Sequence, residues 1–320
     1  MKENKKIVNW SEYNASLVKR GRFSLWIDDI AINSWYHQEK RIGSGKRKIY
    51  SDNTVRLMAI ISEIYSLPYR QTEGLFREIL DAMGHHELGV PQYTILSKRS
   101  KDAEFDSTIS KIKKLKATGE HINIVMDATG LKVYGEYEWK VRTHGKGKKR
   151  KWLKLHAAID RDTRQVISYS LTNNDVHDGE EFVKLLNTAK SHGYKIEKCY
   201  ADGAYSWHCI FDRLQKDAII PRIPLPKNSV ISGENREDAI PVLRPRDKAL
   251  LEIHDAGGLS KWKKSTDYHF RNLIENLFSR AKIIFGERLK PRSDEARSMR
   301  VNLRLNILNT FAAMGLPKYN

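Results

Sequence analysis

The sequence predicts an α/β protein: a mixed sheet flanked by helices, preceded by a helical N-terminal domain. Three observations carry that prediction. Between about residues 121 and 225, short apolar runs rich in β-branched residues alternate with helical stretches, in the order three strands, helix, strand, helix, strand. Residues 51–101 hold three amphipathic helical segments. From Tyr268 to Lys282, polar groups lie along one side of a helical pattern and an apolar stripe along its flank.

Length and charge bound the rest. A chain of 320 residues with 40% hydrophobic residues can build a sizeable core or two. A formal charge of +18 argues for a polyanionic partner, nucleic acid first. No run approaches the ~20 apolar residues of a membrane span, and no segment pairs a basic face with a strongly apolar one. The opening MKENKKIVNW lacks the apolar core of a signal peptide. Two cysteines, Cys199 and Cys209, without a CxxC pair argue against a disulfide framework or structural zinc. The expected setting is therefore the cytoplasm.

Taken in order, residues 1–50 read as a basic arm, tryptophan-rich and poorly periodic, ending in the loop Gly43–Lys48. Residues 51–110 read as a helical DNA-binding domain. Ser51 or Asp52 caps its first helix, Leu67-Pro68 breaks it, and Tyr69–Met83 and Tyr93–Lys101 follow. Three short helices with a basic last one, carrying Lys98 and Arg99, suggest a helix-turn-helix-like module. Residues 111–120 read as a linker, and 121–320 as an α/β domain. Its strands are expected at 122–127, 152–160, 165–172, 196–202 and 219–225, with helices at 179–189 and 206–217. Residues 226–266 look like an irregular insertion, and a last helix runs over about 298–314. Three strands, helix, strand, helix, strand, helix is the order of the RNase H-like fold.

Two aspartates stand at the carboxyl ends of predicted strands: Asp127, followed by Ala-Thr-Gly, and Asp202, followed by Gly-Ala. Open α/β sheets place their sites there. Neighbouring carboxylates repel unless a cation lies between them, and Mg²⁺ takes oxygen ligands while keeping several waters. Glu275 offers a third carboxylate. Tyr268, Arg271, Glu275 and Lys282 fall at offsets 0, 3, 7 and 14, within roughly 60° of one another on a helix. Asp160 also ends an apolar run, but Arg161-Asp-Thr-Arg reads as an ordinary turn after it.

Met126-Asp-Ala-Thr-Gly through Trp152-Leu-Lys-Leu-His156 resembles the first catalytic block of the DDE transposases of bacterial insertion sequences, specifically insertion-sequence family five. Ala201-Asp-Gly-Ala-Tyr205 is similar to the second block, and Tyr268, Arg271, Glu275 and Lys282 fit the family's Y-(2)-R-(3)-E-(6)-K signature. The segments Leu67–Gly74 and Val90–Ser97 are similar to its N-terminal part. The resemblance implies an RNase H-like catalytic domain and the triad Asp127, Asp202 and Glu275 as catalytic residues and metal ligands. It further implies two Mg²⁺ ions with Mn²⁺ as a substitute, and cutting and joining at terminal inverted repeats. The partners it implies are double-stranded DNA, as element ends and target, and a second copy of the chain when DNA is bound. Localisation would be nucleoid-associated.

Further residues suggest DNA contacts. Lys140–Lys154 holds eight lysines or arginines and no acid, among them Lys146, Lys148, Lys149, Arg150 and Lys151. With Gly145 and Gly147 it reads as a hairpin tip that clamps DNA backbone. Arg271 and Lys282 would hold phosphates and Tyr268 the terminal nucleotide. Asp178 reads as a helix cap, Trp207 and Trp262 as stacking or core residues, and Cys199 as core. Two alternatives keep part of this reading: a metal-dependent nuclease of the same fold without transposition, and a non-catalytic DNA-binding regulator.

Overall fold

The computed structural model describes residues 6–38, 49–100, 121–133, 152–231 and 243–319. They form two compact units, one drawn from 1–106, 283–286 and 290–320, the other from 107–282 and 287–289.

The first unit is helical: α1 (Trp10–Arg20), α2 (Asp29–Asn33), α3 (Asp52–Ile64), α4 (Tyr69–Ala82) and α5 (Tyr93–Arg99). Ser51 caps α3 by accepting from the Thr54 N–H at 3.1 Å. Pro68 stands at the N-cap of α4, where a missing N–H costs nothing, and so separates the two helices. The described part of residues 1–50 is not an irregular arm. Ile27 and Trp35 are buried in one core with Val55, Met58, Phe76 and Leu80, and the Trp35 indole N–H donates to the Gly89 carbonyl at 2.8 Å. Single anchors between short helices leave no regular spacing, which is why the segment reads as poorly periodic. The loop Gly43–Lys48 lies outside the described residues.

The second unit carries the sheet: β1 (His121–Val133), β2 (Trp152–Asp160), β3 (Val166–Asn173), α6 (Asp178–Ser191), β4 (Lys195–Tyr200), α7 (His208–Lys216), β5 (Ile220–Arg222), α8 (Pro245–Asp255), α9 (Leu259–Ser265), α10 (Asn272–Phe285) and β6 (Arg288–Leu289). The sheet order is β3-β2-β1-β4-β5, with β6 also pairing β1. β1, β2 and β3 are antiparallel neighbours, whereas β4 and β6 run parallel to β1, and β5 parallel to β4.

Alternation along β1 sends Ile122, Ile124 and Met126 into a core with Phe182 and Leu185 of α6 and Phe211 and Leu214 of α7. On the opposite face, Tyr200 meets Phe270 edge-on at 6.3 Å, and the Arg161 guanidinium lies over the same Phe270 ring at 4.8 Å. Residues just before α10 therefore close that side.

Three expectations are corrected. β1 does not stop at Asp127 but continues to Val133, because its hairpin pairing with β2 runs on to Lys132 opposite Trp152. The described part of 226–266 is not irregular. It contains α8 and α9, with Ala249, Ile253 and Trp262 in the sheet core. Pro245 begins α8 rather than breaking a helix, its fixed φ suiting a first turn. The pattern from Tyr268 is not one α-helix: Asp267 takes a left-handed φ of 55°, Tyr268–Arg271 forms a 3₁₀ turn, and α10 starts at Asn272.

The last helix, α11 (Asp294–Met314), belongs to the helical unit, not to the sheet unit as expected. Its Arg300 and Arg304 both pair with the buried Glu63 of α3, Arg304 at 2.5 Å. These pairs link α11 to α3 inside the helical unit. No helix among the described residues is long and apolar enough to cross a membrane.

Candidate active site

The site follows from where the parallel pairing ends. β4 accompanies β1 only as far as Val125 opposite Tyr200, and β6 rejoins that edge at Lys132. Met126–Leu131 is left without a strand partner on that edge among the described residues. Asp127 lies in this gap, two residues beyond the last pair, and Asp202 lies two residues beyond Tyr200. Neighbouring parallel strands thus bring both aspartates to one place, although Asp127 is internal to its strand.

Each carboxylate is locally tethered. Asp127 Oδ1 accepts from the Ala128 N–H at 2.8 Å. Asp202 Oδ1 accepts from the Ala204 N–H at 2.6 Å and opens the 3₁₀ turn Gly203–Tyr205. At Gly203 an added Cβ would fall 3.3 Å from the Pro224 carbonyl, so the chain beyond Asp202 has little room for a side chain. Glu275 projects from the first turn of α10.

One guanidinium joins all three. Arg271 Nη2 donates to Asp127 Oδ2 at 2.9 Å and to Asp202 Oδ2 at 3.2 Å, while Nη1 donates to Glu275 Oε1. The side chains of Asp127, Asp202 and Glu275 are 15%, 41% and 49% exposed, so the cluster is closed at Asp127 and open towards Glu275. Burial raises the Asp127 carboxyl above its ordinary range. The Ala128 N–H and Arg271 oppose this, and the charges of Asp202 and Glu275 add to it.

By chemistry these residues fit a hard divalent cation. All three are carboxylates, they come from separate elements, and they gather around a positive charge. In the arrangement present they converge on the guanidinium rather than on one point. Among the described residues, no three His, Cys, Asp or Glu side chains stand ready to share an ion.

The other sequence-selected residues are distributed as follows. The Tyr268 hydroxyl donates to the Ala201 carbonyl at 3.2 Å, its ring lies 6.0 Å from that of Trp262, and the Lys263 ammonium sits 5.1 Å from the ring centre. Burial pushes the phenol up to about 12, so it remains a donor. Lys282 makes no hydrogen bond to the carboxylate cluster among the described residues; its charge acts on Glu287, which Lys132 binds. Lys98 is exposed. Arg99 donates to the Tyr50 carbonyl at 2.8 Å and to Asp52 at 2.5 Å, tying α5 to the start of α3. Lys146, Lys148, Lys149, Arg150 and Lys151 lie outside the described residues.

Asp160 is buried and accepts from the Thr163 N–H at 2.9 Å and hydroxyl at 2.6 Å, closing the expected turn. Asp178 does not cap α6, whose N-cap is His177; it binds Lys154 at 2.9 Å and lies 3.5 Å from buried His156. Spacing alone could not show this, because Lys154 and His156 come from a strand more than twenty residues upstream. Trp262 is core, whereas Trp207 is partly exposed and packs on Gly179, where a Cβ would fall 2.8 Å from its ring. The reach of Arg271 to both aspartates has no signal in the sequence, where Arg271 is expected to hold phosphate.

Residues 118–310 match a family model described as a transposase DDE domain, and residues 18–136 match a second model of the same description. Similar solved structures include the piggyBac transposase synaptic complex with hairpin DNA, at 13% identity over 98% of this chain and 78% of that chain, TM-score 0.43. The Mos1 strand transfer complex follows at 11% identity over 88% and 82%, TM-score 0.24. A pre-cleavage Mos1 transpososome is similar at 12% identity over 99% and 90%, TM-score 0.23. The first family match spans more than half of the chain and takes in Asp127, Asp202 and Glu275, and this protein belongs to the transposase DDE domain family.

Proposed function

We propose that this chain is the transposase of a bacterial insertion sequence of family five. On this reading it has an RNase H-like catalytic unit, cuts DNA at the element's terminal inverted repeats and joins the freed 3′-hydroxyl ends to target DNA. The observation that carries the reading is the meeting of Asp127, Asp202 and Glu275 on one guanidinium. Asp127, Asp202 and Glu275 would hold two Mg²⁺ ions, or Mn²⁺ in their place. Bound there, such ions supply activation of the attacking oxygen and charge neutralisation at the leaving oxygen.

The residues of the chain do the rest by placement. The Ala128 and Ala204 N–H groups fix one oxygen of each aspartate, leaving the other to face the cluster. Tyr268 pins the backbone one residue before Asp202. Water attacks the scissile phosphorus and the bond to the 3′-oxygen breaks. That 3′-hydroxyl then attacks a target phosphodiester, releasing a new 3′-hydroxyl in the target strand. No covalent protein–DNA link is required. Lys282 and the basic segment Lys146–Lys151 would hold DNA backbone. The helical unit, with Lys98 on α5, would bind the element's ends, and two copies would pair those ends in the nucleoid.

The test is cleavage of a duplex carrying the element's own end, in Mg²⁺, by wild type and by Glu275→Gln. Loss of cleavage by at least about 100-fold is expected; equal cleavage would sink the triad. Strand transfer from paired pre-cut ends separates a transposase from a nuclease of the same architecture.

A further inference from the structure

We infer that Arg271 is an internal counter-ion that occupies the carboxylate cluster and competes with metal for it. The inference rests on the metal-site reading above. Two observations carry it. First, a single guanidinium holds Asp127, Asp202 and Glu275 together, with one nitrogen shared between the two aspartates. Three carboxylates this close would otherwise repel one another, so without a metal the cluster needs a cation, and Arg271 is the one placed there. Second, the three converge on the guanidinium and not on a common point, so the arrangement is one of arginine binding.

The hold is incomplete. Arg271 Nε is buried with no hydrogen-bond acceptor among the described residues, and Glu275, at the open end, is half exposed. A guanidinium with an unsatisfied N–H and a solvent-facing partner can be withdrawn more easily than one enclosed on every side. Its departure frees the carboxylate oxygens for metal. It also frees a planar two-nitrogen fork whose geometry suits phosphate oxygens. Arg271 is thus a positioning residue: it keeps the three carboxylates gathered until a metal replaces it.

The measurement is Mn²⁺ binding by the full-length protein without DNA, by isothermal titration, together with thermal unfolding in EDTA and in Mn²⁺. Arg271→Gln removes the competing charge and keeps a polar side chain. It is expected to bind Mn²⁺ about tenfold more tightly than wild type. It should unfold at lower temperature in EDTA and show the larger upward shift in Mn²⁺. A purely packing role for Arg271 would lower stability without tightening metal binding. Mn²⁺ binding by Arg271→Gln that is no tighter than wild type, with wild-type binding still abolished by Asp127→Asn, overturns this inference and leaves the metal site standing. Failure of both wild type and Arg271→Gln to bind Mn²⁺ removes the metal site itself. Should Arg271→Gln not fold, Arg271→Lys decides. It keeps the charge but cannot fork between carboxylates, so an affinity above wild type supports the competition and an unchanged one overturns it.

Discussion

Tyr268 fastens the backbone that carries Asp202, and its value lies in a single hydroxyl. That group donates to the Ala201 carbonyl, while burial keeps the phenol protonated far beyond neutral pH. Tyr268→Phe keeps the ring against Trp262 and removes only this bond. The expected cost is about 1 kcal/mol of stability, read from urea midpoints, with a several-fold fall in DNA cleavage as Asp202 loosens. Unchanged cleavage would mean the Gly203–Tyr205 turn holds Asp202 unaided. At this scale the sequence offers candidates and says little about their attachment. Asp127, Asp202 and Glu275 stand out as candidates through local signals, apolar runs ending near an aspartate and a helical pattern around Glu275. The bonds of Arg271 to Asp127 and Asp202 leave no trace in the sequence, since they span 144 and 69 residues. Arg99, a candidate DNA contact, is also tied to Tyr50 and Asp52, another long-range pairing that composition cannot reveal.

Among the elements, strands and their order were the most legible, because β-branched apolar runs separated by helical patterns leave few topologies. Boundaries set by a partner were not. β1 runs past Asp127 only because β2 pairs with it there, and α8 exists in a stretch whose prolines suggested a loop. The end of α7 shows how such elements are fixed. Asp217, which is nearly buried, accepts from Arg213 of α7 at 2.8 Å and from Lys190 of α6 at 2.8 Å. Burial alone would raise its carboxyl, but the hydrogen bonds from Lys190 and Arg213 outweigh it and hold the carboxyl below the ordinary range. A carboxyl depressed in the folded state stabilises it above the unfolded value of about 4, and that contribution is lost as pH falls through the folded value. Asp217→Asn should therefore cost about 2 kcal/mol at pH 7. The difference from wild type should shrink as the pH is lowered from 5 towards 3. Urea unfolding across that range checks it, and a constant difference would refute the assignment.

On the scale of the whole molecule, the chain joins a sheet unit bearing the carboxylates to a helical unit that takes in both terminal regions, an assembly no local pattern announces. The ion pairs of Glu63 with Arg300 and Arg304 engage two arginines within the helical unit. The net charge of +18 is therefore not a measure of phosphate contacts. Binding that neutralises Z phosphates loses affinity with salt at a logarithmic slope of about −0.9Z, so the slope counts contacts where composition cannot. Replacing Lys146, Lys148, Lys149, Arg150 and Lys151 together by alanine removes five positive charges. If all five meet backbone phosphates, the slope should fall in magnitude by about 4.5, measured by fluorescence anisotropy on an end duplex between 50 and 200 mM salt. The loss should be nearly the same on unrelated duplex, because phosphate contacts position DNA without reading its sequence. An unchanged slope would place the phosphate contacts elsewhere, and a loss confined to the end sequence would mean that this segment reads bases.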